Sequence, residues 1–121
     1  MRDVAGLLRS FHYAAATAQN NQTSTVATTG TVASAGPQAQ AASQRFVDDM
    51  SAQFLEAYYA IAVGTAATDH APLLDLFLLE KSAYEICYEA ANRPTWLGIP
   101  LMGFSQIAAR VLNPAPETVD A

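Results

Sequence analysis

An all-α chain of about four helices is predicted by three features of the sequence. Twenty-five of the 121 residues are alanine, the best intrinsic helix former. Where large apolar side chains are dense they recur at spacings of three and four, the period of a helix face rather than of a strand. Pro72, Pro94 and Pro100 punctuate the second half at places where helices start or stop. Leu, Ile, Val and Phe together number only 27, so the core is modest, and the length allows one domain.

The first helix is predicted over residues 1–18. Val4, Leu7, Leu8, Phe11 and Ala15 share one face, and Asp3 suits the N-cap, where its carboxylate meets orphan N–H groups. Gly6 weakens a helix by roughly 1 kcal/mol relative to alanine, which predicts a close backbone approach there. Residues 10–44 contain no Asp, Glu, Lys or Arg. Within that run, Val26 and Val32 are the only sizeable apolar groups of the low-complexity part, too few to offset the entropy of ordering it. Residues 19–40 are therefore predicted to be a flexible, disordered connector, helical again only towards its end.

A helical subdomain is predicted over residues 41–113. Its first helix, residues 41–63, carries Phe46, Met50, Phe54, Tyr58 and Ile61 or Ala62 along one seam, with Gly64 as the C′ residue and a polar turn over residues 65–69. The next opens at Pro72, reads PLLDLFLLEKSAYEICYEAAN and stops before Pro94. TWLGIP is irregular. Pro100 begins the last helix, with Leu101, Phe104, Ile107 and Val111 inward, and residues 114–121 form a disordered tail.

Charge and composition exclude several functions. The net charge is −5, and the six basic residues, Arg2, Arg9, Arg45, Lys81, Arg93 and Arg110, are scattered singly. Nucleic acid is not an expected partner, because phosphate neutralisation needs a clustered basic face. Cys87 is the only cysteine, which excludes a disulfide framework and a multi-thiolate metal site. The most apolar run, residues 72–79, is interrupted by Asp75 and is far too short to span a bilayer. No signal-type apolar run opens the chain. A soluble chain of a reducing compartment, the cytoplasm, is expected.

Little chemistry is visible. His12 and His70 are isolated, the first read as a helix-surface residue and the second as a solvated or capping group in the turn before Pro72. Cys87, beside Ile86, reads as a buried small hydrophobe. No glycine-rich phosphate loop is present. Lys81, Tyr84 and Tyr88 fall at i, i+3, i+7, one stripe of a helix. Two phenols and a cation suit a sugar, whose C–H faces pack on rings and whose hydroxyls exchange hydrogen bonds. The same stripe also fits tyrosines packed between helices, with Lys81 paired to Glu85 at i+4 for a few tenths of a kcal/mol. Residues 92–96, Asn-Arg-Pro-Thr-Trp, read equally as a helix stop in which Arg93 caps carbonyls and Trp96 folds back as an anchor.

Two blocks carry a resemblance. RDVAGLLRSFHYAA, residues 2–15, resembles the RDVAGMLRSFDYAA segment of the maltokinase family. LLDLFLLEKSAYEICYEAANRPTWLGIPLMGF, residues 73–104, is similar to the last long helix and following turn of that family, commonly Leu-x-x-Phe-x-Leu-x-Lys-x-x-Tyr-Glu-x-x-Tyr-Glu-x-x-Asn-Arg-Pro-x-Trp-x-x-Ile-Pro-Leu. The order of the blocks agrees as well. His12 and Thr95 stand where the family commonly has Asp, and the uncharged stretch after Ala18 departs from it.

The resemblance implies the helical C-terminal part of a kinase-like C-lobe, related to aminoglycoside phosphotransferases. The family transfers the γ-phosphoryl group of ATP to the anomeric hydroxyl of maltose and is often associated with trehalose synthase. Its His-Gly-Asp catalytic loop, its metal-binding Asp-Phe-Glu-Gly segment and its nucleotide-binding strands precede the first block, so ATP and Mg²⁺ are expected to be held by upstream residues and none by this chain, which is expected to be inactive alone. Lys81, Tyr84 and Tyr88 match positions that contact the disaccharide in the family, while Glu85, Asn92 and Arg93 match motif letters of less defined role. Two other functions fit the same residues: a phosphotransferase fragment with another small alcohol or an aminoglycoside as acceptor, and a stand-alone helical module that docks on trehalose synthase or a kinase.

Overall fold

The computed structural model describes residues 1–27, 36–63 and 70–116. All regular structure among them is helical. Helix α1 spans Arg2–Ala27, α2 Pro37–Tyr58, α3 Ala71–Asn92 and α4 Gly98–Leu112. A π-helical turn, Tyr59–Val63, extends α2, and a 3₁₀ turn, Pro94–Trp96, joins α3 to α4. The all-α class and the four helices agree with the reading of the sequence.

Helix α1 is the hub. It packs against α2 on one side and α3 on the other, while α4 lies mainly on α3. Val4, Ala5 and Leu8 of α1 meet Leu74 and Leu78 of α3 and Ile107 of α4 in one buried cluster. Phe54, Leu55 and Tyr58 of α2 close it from the other side. Removing a side chain of this size from a well-packed core costs about 2–5 kcal/mol. Tyr59, also buried, stacks on His70 with ring centres 5.6 Å apart. His70 is the N-cap residue of α3 but makes no side-chain capping bond.

Several expectations are corrected. Helix α1 runs through residues 19–27, and α2 already begins at Pro37, so both flanks of the expected connector are helical. Once nucleated, a helix gains one hydrogen bond for each residue added, so it extends through Gln, Asn, Ser and Thr even without an apolar stripe. The central part of that connector, the proposed C′ residue Gly64 and its turn, and the tail from residue 117 lie outside the described residues. Asp3 falls inside the first turn of α1 rather than at its cap. Gly6 has open space where a Cβ would stand, so no backbone approaches it. The close approach is at Gly103 of α4, where a Cβ would overlap Arg9 Nη1 and lie 2.7 Å from Arg9 Cζ. Helix α4 starts two residues before Pro100.

Candidate functional site

The α1–α3 contact changes character along its length. Beyond the apolar cluster it becomes a polar ladder. Arg9 Nε donates to Glu85 Oε2 at 2.9 Å, and Tyr13 Oη donates to Glu89 Oε1 at 3.2 Å. Both links join residues 76 positions apart, so the two helices run parallel and in step. The spacing explains this: Arg9 and Tyr13 stand one turn apart on α1, as Glu85 and Glu89 do on α3. Arg93, a further turn on, donates from Nε and Nη2 to the Glu89 carboxylate at 2.9 and 2.6 Å, and its guanidinium lies 4.3 Å from the Trp96 ring centre. Trp96 in turn stacks on Tyr13.

Arg9 is the most enclosed member, with 1% of its surface exposed. Its charge is matched by Glu85, and its end is wedged against Gly103. Breaking a buried pair of this kind from one side costs about 3–5 kcal/mol, because the other charge stays buried. Burial pushes the Tyr13 phenol well above its ordinary pKa, reinforced by the charges of Glu85 and Glu89 and by the bond to Glu89. The bond to Glu89 also holds the Arg93 guanidinium above its usual value.

These contacts turn the other edge of α3 outward. Lys81 Nζ lies 5.2 Å from the Tyr84 ring centre, and Tyr84 and Tyr88 stack with centres 6.3 Å apart. Tyr84 is 61% exposed and Tyr88 45%. Arg93 reaches back to 5.9 Å from the Tyr88 ring, so Lys81, Tyr84, Tyr88 and Arg93 form one outward ladder of alternating cation and ring character. Asn92 Nδ2 donates to the Tyr88 carbonyl and closes the end of the helix.

The structure therefore brings together four of the six residues singled out in the sequence and gives the other two different surroundings. Glu85 is buried against Arg9 and does not share the outward edge; the expected i+4 pairing with Lys81 gives way to the stronger partner across the helix interface. Asn92 is engaged with backbone. Arg93 holds the Glu89 carboxylate rather than helix carbonyls. Cys87 is exposed, not buried. Glu89, Arg9 and Tyr13 were not singled out: the i, i+4 spacing puts each pair on one face of its own helix but does not say that the two faces meet.

Two concavities lie away from the ladder. A cleft of about 620 Å³ opens between α1, α2 and α4, and a smaller groove of about 380 Å³ lies between the start of α3 and the end of α4; neither is lined by Lys81, Tyr84 or Tyr88. His12 borders the larger cleft and is half-buried rather than on the open surface. Burial, with Arg9 nearby, lowers its pKa from the ordinary value of 6.5 to about 4, against the opposing pull of Asp48. Among the described residues no three His, Cys, Asp or Glu side chains converge as a metal site, and no helix is long and apolar enough to cross a membrane. No protein-family model matches the chain, and no solved structure matches it.

Proposed function

We propose that this chain is the helical, acceptor-binding part of a maltokinase-like sugar kinase, in which the outward edge of α3 holds a disaccharide. The observation that carries this reading is the exposed Tyr84–Tyr88 stack, with half-buried Lys81 over the Tyr84 ring. Two large rings stacked on a helix exterior, with a cation seated over one of them, offer a flat apolar face for sugar C–H groups and donors for its hydroxyls. The two blocks that resemble the family also support each other physically, since Arg9 and Tyr13 of the first meet Glu85, Glu89 and Trp96 of the second.

In this reading the nucleotide and Mg²⁺ are held by residues upstream of the two blocks, as the resemblance implies. The chain's part is to bind and orient the acceptor. Tyr84 and Tyr88 would hold the pyranose face, Lys81 would donate to a hydroxyl, and Glu89 would keep Arg93 against Tyr88, fixing the sugar for attack by its anomeric oxygen.

The test is phosphotransfer by the full-length polypeptide that carries this segment, across maltose, glucose and aminoglycosides. Tyr84→Ala and Tyr88→Ala should each raise the KM for maltose on the order of tenfold, equivalent to about 1.4 kcal/mol, and leave the KM for ATP unchanged. Phosphorylation of an aminoglycoside in place of maltose would move the reading to another acceptor. No sugar-dependent ATP consumption at all would end it.

A second reading rests on exposed apolar side chains, notably Leu76 and Leu112, which lie at the same end of the α3–α4 pair, where the start of α3 meets the end of α4. They fit a helical module that docks on trehalose synthase or a kinase. Co-sedimentation with those proteins, lost on Leu76→Glu, is its test.

A further inference from the structure

The cleft between α1, α2 and α4 has a lining of unusual chemistry. Seventeen residues form it, and none is Asp, Glu, Lys or Arg. Gln40, Gln44 and Ser43 come from α2, Gln106 from α4 and Thr95 from the 3₁₀ turn, above a floor of Ala15, Ala16, Val47 and Ile99. Gln106 Nε2 reaches Gln44 Oε1 at 3.5 Å, so the two carboxamides already meet across the gap. His12, on the α1 wall, stays uncharged at neutral pH because its pKa is held near 4.

We infer that this cleft is a binding site for a short neutral oligosaccharide. Carboxamides and hydroxyls each donate and accept, as sugar hydroxyls do, so pairing needs no proton transfer and no counter-charge. The alanine, valine and isoleucine floor suits the apolar face of a pyranose ring. A phosphorylated or carboxylated ligand would lose hydration here with no opposite charge in the lining to replace it. The volume of about 620 Å³ falls within the roughly 300–1,000 Å³ of small-molecule sites. The site is separate from the α3 ladder and does not depend on the kinase reading, since none of Lys81, Tyr84 and Tyr88 lines it.

The experiment uses this chain with ¹³C-methyl methionine. Met102 lines the cleft, whereas Met1 and Met50 do not, so the three methyl signals provide one reporter and two internal references. Titration with maltotriose should move the Met102 signal saturably and leave the others in place. Glucose 6-phosphate and glucuronate over the same concentrations should leave all three in place. Ala16→Phe, which fills the floor, should abolish the shift. Should that variant fail to fold, Gln106→Leu should weaken binding by about 2- to 12-fold, the loss of one hydrogen bond between neutral groups. Tyr84→Ala should not affect the Met102 response, which separates this site from the ladder. An unmoved Met102 signal, or equal shifts with charged and neutral sugars, overturns the inference.

Discussion

Gly103→Ala places a methyl group where the Arg9 guanidinium now rests, and its consequences can be worked through. The added Cβ would overlap Nη1 and stand 2.7 Å from Cζ, so one of them must move. Arg9 is a flexible side chain in general, but here it is enclosed and bonded to Glu85 at 2.9 Å. Shifting it strands a buried carboxylate, which costs about 3–5 kcal/mol. Alanine in place of glycine inside a helix returns about 1 kcal/mol. The net effect is a destabilisation of about 2–4 kcal/mol, read by urea unfolding of this chain followed at 222 nm. The same substitution in an Arg9→Met, Glu85→Gln background should reverse sign and stabilise by up to about 1 kcal/mol, because a neutral, unbranched side chain can yield to the methyl group without leaving a charge behind. A neutral or stabilising Gly103→Ala in the otherwise unchanged chain would refute the wedged geometry of Arg9.

Three further outcomes follow from the packing. Leu8→Ala should cost about 2–5 kcal/mol in the same unfolding assay, since Leu8 is a buried member of the apolar cluster. His12 takes up a proton near pH 6.5 when unfolded but only near pH 4 when folded, so its contribution is full above pH 6.5 and is lost as the pH falls towards 4. After allowance for partial solvent screening, His12→Gln should flatten the stability loss between pH 7 and pH 4.5 by about 1–2 kcal/mol, and an NMR titration of the imidazole should give a midpoint near 4. Cys87 should react with a thiol reagent in the folded chain as fast as in urea; a need for denaturant would contradict its exposed placement.

Helices α2, α3 and α4 were legible because their apolar residues recur with the right period, and prolines marked both ends of α3. The far half of α1 was not, since residues 19–27 carry no apolar stripe and their helix is extended from a nucleus formed by the residues before them. Cys87 was misjudged from its neighbour Ile86. The inward stripe of α3 is Leu74, Leu78, Ser82, Glu85 and Glu89, and two positions beyond Glu85 the helix has turned by about 200°, which faces the thiol to water. Once a stripe mixes leucine, serine and glutamate, hydropathy no longer reveals which side is buried. The outward ladder was visible as spacing alone, because neighbours on one helix are fixed by its pitch. Arg9 and Glu85 are far apart in the chain, and local pattern carries no information about such a meeting. The same holds for Gly103, whose need to be small is set by a side chain from α1.

The shared offset of 76 between Arg9–Glu85 and Tyr13–Glu89 makes the two parallel helices behave as matched combs. Length added between α1 and α3 but outside the helices leaves the mesh in phase, because Leu74, Leu78, Glu85 and Glu89 then keep their common face. A single residue inserted directly after Glu85 is different: it swings everything beyond by about 100°, so that the Tyr88 ring takes the place of the Glu89 carboxylate and the carboxylate turns away from Tyr13. Tolerance to insertion in this protein should therefore be a matter of phase rather than of distance from the surface.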